Sequence, residues 1–286
     1  IEKSIQKFKK EYTSSSYLES LKEKDVRVVL GSETEYPPLL TQIDNPPPLL
    51  FARGVAPPQN MQPLAVVGKR RITAYGRQVI AELVPPLVHA GKTIVSGFMY
   101  GVDVVAQQAA LDAGGRTIGV LGFGFDWMYP PRPKHTQLFE QFLEKNATFY
   151  TPFAPHVKPI RGNFPARNQI VAGMVIEGAR NSGRLITAHA AAEMGREVWA
   201  VPGSIFSDFS AGTQELINTG AQLVRCAEDV LGVAPSGRTQ VDYQALWERL
   251  PAQERGVCQQ LQWRALTTDQ LAEKLDKGIS ELSTLL

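Results

Sequence analysis

In Leu64-Ala65-Val66-Val67-Gly68-Lys69-Arg70-Arg71-Ile72-Thr73-Ala74-Tyr75-Gly76 an apolar run gives way to a charged loop and a helix start. The apolar opening is too short for a helix and reads as a strand buried on both faces. Glycine stops the run and three cations follow. Thr73 then stands at an N-cap position ahead of a helical period at 75–89. The same pattern repeats downstream. Short apolar runs at 65–67, 93–95, 117–121, 147–150, 174–176, 197–201 and 222–224 alternate with helical periods at 75–89, 102–113, 136–145, 163–172, 188–193 and 212–218. Such alternation predicts the α/β class, a doubly wound and mostly parallel sheet with helices on both faces, which is a Rossmann-like arrangement.

Outward from this core, 26–30 is a short β-branched run. Tyr36-Pro37-Pro38 and Asn45-Pro46-Pro47-Pro48 exclude helix as far as Leu49, so a strand and extended loops are expected beside the main sheet. Residues 1–25 are polar and helix-compatible, with Ile5, Phe8, Tyr12 and Tyr17 on one stripe, and read as a fragment of an N-terminal helical region. The Rossmann-like domain is placed at 26–231, and 232–242, with Pro235, Ser236 and Gly237, has the composition of a linker. Helical periods at 243–250, 253–261, 267–275 and 280–286, the last two joined by a Lys277-Gly278 turn, suggest a helix-turn-helix. A small, incomplete, winged-helix-like domain at 243–286 is therefore expected, ending inside its last helix without wing strands.

A chain of 286 residues with 43% hydrophobic content supports one large and one small domain. No apolar run approaches the roughly 18 residues of a membrane span, and the charged start is unlike a signal peptide, so a cytoplasmic protein is expected. Cys226 and Cys258 are far apart, and His89, His135, His156 and His189 share no metal-ligand spacing, so neither a disulfide framework nor a metal site is expected. The net charge of +2 does not by itself indicate nucleic acid. Any such site must be local.

Several predicted strands end in glycine: Gly68, Gly97, Gly122 with Gly124, and Gly203. In a parallel sheet those ends form the crevice where ligands bind, and glycine admits a phosphate close to the backbone. Simple turn-making explains one or two of them; four point to a site. Around this edge stand Lys69, Arg70 and Arg71, then Phe123, Phe125, Trp127 and Tyr129 with Arg132 and Lys134, then Lys158, Arg161, Phe164 and Arg167. Cations for a phosphate chain and aromatic faces for unstacked bases are what single-stranded nucleic acid requires, although core packing is the competing reading for the aromatics. Ser96-Gly97-Phe98-Met99-Tyr100-Gly101 lacks dinucleotide-loop spacing and no Gly-Lys-Ser/Thr is present, so no NAD, ATP or other cofactor is expected.

In order along the chain, Val67-Gly68-Lys69-Arg70-Arg71-Ile72-Thr73-Ala74-Tyr75-Gly76, Ser96–Asp103, Val120–Asp126 with Tyr129-Pro130, Asn163–Gly173, Ser182–Ala188 and Ala200-Val201-Pro202-Gly203 resemble the motifs of the DNA-processing protein A (DprA, or Smf) family. The resemblance spans roughly 36–231. It implies single-stranded-DNA binding without catalysis, a homodimer, and loading of the RecA recombinase in natural transformation and recombination. The candidate DNA contacts are Gly68, Lys69, Arg70, Thr73, Gly97, Gly101, Gly122, Lys134, Arg161, Asn163, Phe164, Arg167 and Asn168. By resemblance Arg70 and Arg161 meet phosphate, Phe164 stacks a base, and Arg167 and Asn168 open the helix beside them.

This chain departs from the family pattern at Lys69, usually serine, at Gln107, often histidine, and at Gln169, often arginine. Gly173 also runs directly into Met174-Val175-Ile176, where the family has several intervening residues. A rival reading is a nucleoside-monophosphate phosphoribohydrolase of the lysine-decarboxylase-like group, whose Pro-Gly-Gly-x-Gly-Thr-x-x-Glu motif is echoed by Pro202-Gly203 and Gly212-Thr213-Gln214-Glu215 with 204–211 interposed. A third, a transcriptional regulator acting through the C-terminal helices, has few cations to work with: Arg264, Lys274 and Lys277.

Overall fold

The computed structural model describes residues 14–43, 45–164, 173–176, 196–234, 250–261 and 266–282. They belong to two compact units, Ile1–Ala234 and Pro235–Leu286. The strands of the first are β1 (Arg27–Leu30), β2 (Leu49–Gly54), β3 (Gln62–Val67), β4 (Lys92–Ser96), β5 (Thr117–Val120), β6 (Thr148–Thr151), β7 (Gly173–Val175), β8 (Trp199–Ala200) and β9 (Gln222–Leu223). Its helices are α1 (Ser14–Glu23), α2 (Ala74–His89), α3 (Val102–Asp112), α4 (Pro133–Glu144), α5 (Ala211–Asn218) and α6 (Ala227–Leu231).

One nine-stranded sheet results, in the order β1-β2-β6-β5-β4-β3-β7-β8-β9. Pairings from β6 through β9 are parallel. β1 and β2 add an antiparallel edge, so the sheet is mostly parallel and the fold doubly wound, of Rossmann-like type. Strand side chains alternate between two apolar layers. Ala65, Val67, Val95, Ile118, Val120 and Tyr150 join Leu40 and the Leu216 side chain of α5 on one face. Leu64, Val66 and Ile94 meet α2 and α3 on the other through Ile80, Leu83, Leu87, Val102 and Ala106. A third cluster seats Phe139 and Phe142 of α4 on Phe98, Leu121 and Phe149.

Local chemistry explains the elements. Thr73 caps α2 by accepting the Gly76 N–H at 3.0 Å. That helix continues through Pro85 and Pro86 because the carbonyls left without donors, on Ala81 and Glu82, belong to exposed residues that water can satisfy. The proline-rich stretch is not wholly extended as expected: Pro38–Gln42 forms a 3-10 turn with Pro38 at its first position, and Leu40 is buried. Proline there fixes the first turn and loses no needed donor. α1 is fastened by Leu21, which packs with Val26 and Phe51.

The second unit contains α7 (Ala252–Leu261), α8 (Thr268–Leu275) and α9 (Ile279–Leu282), gathered around Val257, Leu271 and Leu282. Thr267 and Gln270 form a reciprocal capping box at the start of α8. The left-handed residue between α8 and α9 is Asp276, at φ 49°, and not the glycine two positions later. The expected helices at 163–172, 188–193 and 243–250 fall outside the described residues, apart from 163–164 and 250.

His135 of α4 is 2% exposed, packs on the Phe98 ring at 4.6 Å and places Nε2 3.0 Å from the Phe98 carbonyl oxygen. Burial lowers its pKa against the opposing pull of that carbonyl. The native state therefore binds the proton less well than the unfolded chain does. Stability from neutral His135 is complete above the unfolded value of about 6.5 and is lost as pH falls towards the native one. The melting temperature is expected to drop more steeply on acidification from about pH 7 to about pH 5 than that of His135→Gln. Parallel profiles from the two proteins would refute this.

Candidate nucleic-acid interface

β3 has β4 on one side and β7 on the other, so the chain winds away from it in both directions and leaves a crevice beyond its carboxyl end. Residues 68–73 enter that crevice. Val102 N–H donates to the Lys69 carbonyl at 3.0 Å, tying this loop to the start of α3. The approach requires Gly101, at φ 83°, because a Cβ there would lie 2.1 Å from the same carbonyl oxygen. Arg70 and Arg71 are left exposed at the tip.

A cleft of about 290 Å³ opens beside them, lined by Arg70, Arg71, Arg77, Tyr100, Lys134 and His135, with Gly101 and apolar residues of α3 and α4. Arg70, Arg71, Arg77 and Lys134 are cations, and no carboxylate is among the lining residues. Arg132 adds its guanidinium over the Tyr100 ring at 5.4 Å. Asp103, the acidic residue in the first turn of α3, is 7% exposed and accepts from the Met99 N–H at 3.4 Å. The first turns of α2, α3 and α4 contribute Arg77, the Gly101 cap and Lys134, so partial positive charge from helix N-termini adds to the side chains. The Tyr100 hydroxyl is buried with no hydrogen-bond partner among the described residues, a donor that a bound oxygen would satisfy. His135, neutral and buried, forms a wall of the cleft and adds no charge to it.

Three expected contacts, Arg70, Gly101 and Lys134, thus meet in one cleft. Lys69 instead lays its ammonium over the Phe209 ring, and Thr73 acts as the α2 cap. The space beside the glycines is occupied by protein. Gly68 faces the Val102 methyls, Gly122 the Phe164 ring, Gly124 the carbonyls of Ala154 and Pro155, and Gly203 the Ser210 side chain; Gly97 is buried. They permit close packing of loops at the strand ends.

Arg161 lies in the turn beyond β6 and Asn163 and Phe164 are the helical residues that follow it; none of the three is among the lining residues of the cleft. Arg161 is exposed, Asn163 donates to the Lys158 carbonyl at 3.4 Å, and Phe164 is half-buried 5.6 Å from the Tyr129 ring. Lys158 sits 4.9 Å over Trp127, whose indole N–H donates to the His156 carbonyl. Of the aromatics read as base platforms, Phe123 is core, at 1% exposed. Arg167 and Asn168 lie outside the described residues. Arg77 and Tyr100 were missed; their signal was position, one turn after the Thr73 cap and one residue before the Gly101 cap. Among the described residues, no group of three or more His, Cys, Asp or Glu could hold a metal ion, and no helix is long and apolar enough to cross a membrane.

Residues 27–235 match the family model of DNA recombination-mediator protein A. The chain belongs to this family. It is 37% identical over 229 residues to the DNA processing protein DprA of Bacillus subtilis, covering 78% of this chain and 76% of that protein. Across the curated relatives that it matches, the chain spans from 49% to 76% of their length. The DprA structure from Streptococcus pneumoniae superposes with a TM-score of 0.68 at 34% identity, over 73% of this chain and 76% of the other. DNA processing protein A from Helicobacter pylori, which has a single-stranded DNA binding mode, superposes with a TM-score of 0.64 at 25% identity, over 72% of this chain and 94% of that one.

The lock at Gly101 can be tested directly. Gly101→Ala places a methyl against the Lys69 carbonyl at a left-handed φ, and the strain is expected to lower unfolding free energy by ~1–3 kcal/mol in urea titrations. An unchanged midpoint would show that the loop yields freely.

Proposed function

We propose that this chain binds single-stranded DNA in the cleft beside β3 and passes it to a recombinase. The observation that carries this reading is the cleft itself: Arg70, Arg71, Arg77 and Lys134 converge at the sheet's switch point with no acidic residue among the described residues that line it. Such a cluster suits a phosphate chain and reads no base, and aromatic faces near it suit unpaired bases better than a duplex. Family membership and the DNA binding of the Helicobacter relative support the same ligand. The family resemblance implies Arg161, Phe164, Arg167 and Asn168 as further contacts. In this reading the protein is a cytoplasmic homodimer, the acceptor is RecA, DNA is protected and delivered during transformation and recombination, and no chemistry is performed on it. The second unit is read as winged-helix-like.

The phosphoribohydrolase reading fares poorly at its own motif. Residues 204–210 separate Pro202-Gly203 from α5, and Thr213 is buried, its hydroxyl donating to the Ser210 carbonyl at 3.0 Å. No continuous phosphate cradle forms from the two halves.

Anisotropy titrations with a fluorescent poly-dT oligonucleotide test the proposal. Affinity is expected to fall with salt, and Arg70→Ala or Arg77→Ala to weaken binding while reducing the log–log salt slope by about 1 each. Equal affinity for a duplex of the same length, or full binding by both variants, sinks the reading. Release of free base from nucleoside monophosphates would favour the hydrolase.

A further inference from the structure

The loop between β8 and α5 carries the most exposed apolar side chains among the described residues: Ile205 is 81% and Phe206 93% exposed, with Phe209 at 39%. Its backbone is well held. Tyr75 Oη donates to the Pro202 carbonyl at 2.5 Å, and Gln214 Nε2 to the Gly203 carbonyl at 3.1 Å. Ser204 Oγ accepts the Phe206 N–H at 3.2 Å, and Ser207 Oγ the Phe209 N–H at 3.3 Å. Two successive turns, Ser207 N–H to the Ser204 carbonyl and Ser210 N–H to the Ser207 carbonyl, close the loop. Apolar side chains exposed together on one held loop, as Ile205, Phe206 and Phe209 are, mark an interaction site.

Position indicates what covers it. The loop leaves the carboxyl end of β8, two strands from β3 on the same edge of the sheet. From there it reaches back to the start of α2 through Tyr75, and to the loop after β3 through the Lys69 ammonium over the Phe209 ring. Lys69 adjoins Arg70, one of the four cations that line the cleft. An exposed aromatic beside a line of cations has the charge complement of a nucleic-acid strand: phosphates on the basic side, base faces on the ring.

We propose that residues 204–209 form a base-stacking platform, with Phe206 as the stacking face and Phe209 held beside it by Lys69. The inference rests on the single-stranded-DNA reading above and deepens it by giving the bases a surface. The same segment is what interrupts the hydrolase-like motif, so the interruption itself supplies the platform.

The test compares poly-dT with an abasic oligonucleotide of equal length. Phe206→Ala is expected to weaken poly-dT binding about 5- to 150-fold, with the salt slope unchanged and abasic binding equal to that of the unmodified protein. Phe206→Trp should retain affinity and lose fluorescence on poly-dT but not on abasic DNA. Because Phe206 is 93% exposed, the alanine variant is expected to keep the parent melting temperature. If Arg70→Ala weakens poly-dT binding and Phe206→Ala does not, the platform is wrong and the basic cleft stands. An equal loss on abasic DNA, or a change in self-association or recombinase contact alone, also overturns it, assigning the loop to a protein partner. If the unmodified protein binds neither oligonucleotide, both proposals fall.

Discussion

The hydrogen bond from Val102 N–H to the Lys69 carbonyl holds the cleft in register. It joins the loop after β3 to the first turn of α3, and it exists because Gly68 and Gly101 both lack a side chain at the contact. Arg70 and Arg71 project from one side of that joint, while Tyr100 and Gly101 stand on the other. Removing the joint would scatter cations that otherwise share one wall. The sheet beneath supplies rigidity: β3 is central, paired to β4 and β7, and buried on both faces. Loose loops rarely concentrate charge; loops seated on parallel strands do so at the ends of those strands.

Charge elsewhere is arranged so that acids do not compete with the cleft. Asp126, on the aromatic loop after β5, is paired with Lys24, in the turn that follows α1, at 2.7 Å. Asp112 meets Lys145 at 2.9 Å, which lowers its pKa, and Gln108 adds a hydrogen bond. Glu35 bonds Arg27 at 2.7 Å on the antiparallel edge, and Tyr150, buried beside that pair, has its pKa raised chiefly by desolvation. A net charge of +2 therefore conceals a strongly cationic patch. Composition averages over the molecule, whereas a polyanion meets a surface.

Strand and helix order were legible because the hydrophobic period switches cleanly and strands buried on both faces leave continuous apolar runs, as at 65–67 and 117–120. The turn at Pro38–Gln42 was not, since proline at a first helical position looks locally like proline in an extended loop. Arg70 and Lys134 could be found from charge beside glycine. Arg77 and Tyr100 carried only the signal of standing beside a helix cap, because their place in the cleft depends on how three helix starts converge, a long-range property. The glycines were located correctly at strand ends, but their neighbours are side chains and carbonyls of this chain, a packing relation that spacing does not encode. Phe123 shows the same limit: an aromatic in a loop-like sequence became core once α4 closed over it.

The strand order also sets a length. Neighbouring strands lie about 4.8 Å apart, so the four intervals from the end of β5 through β4, β3 and β7 to the end of β8 measure about 19 Å. That distance matches about five or six phosphates at the 3.4 Å stacked spacing, and fewer as a strand is drawn out. The edge of the sheet is thus a ruler whose divisions are the strands themselves, and its span cannot change without adding or removing one.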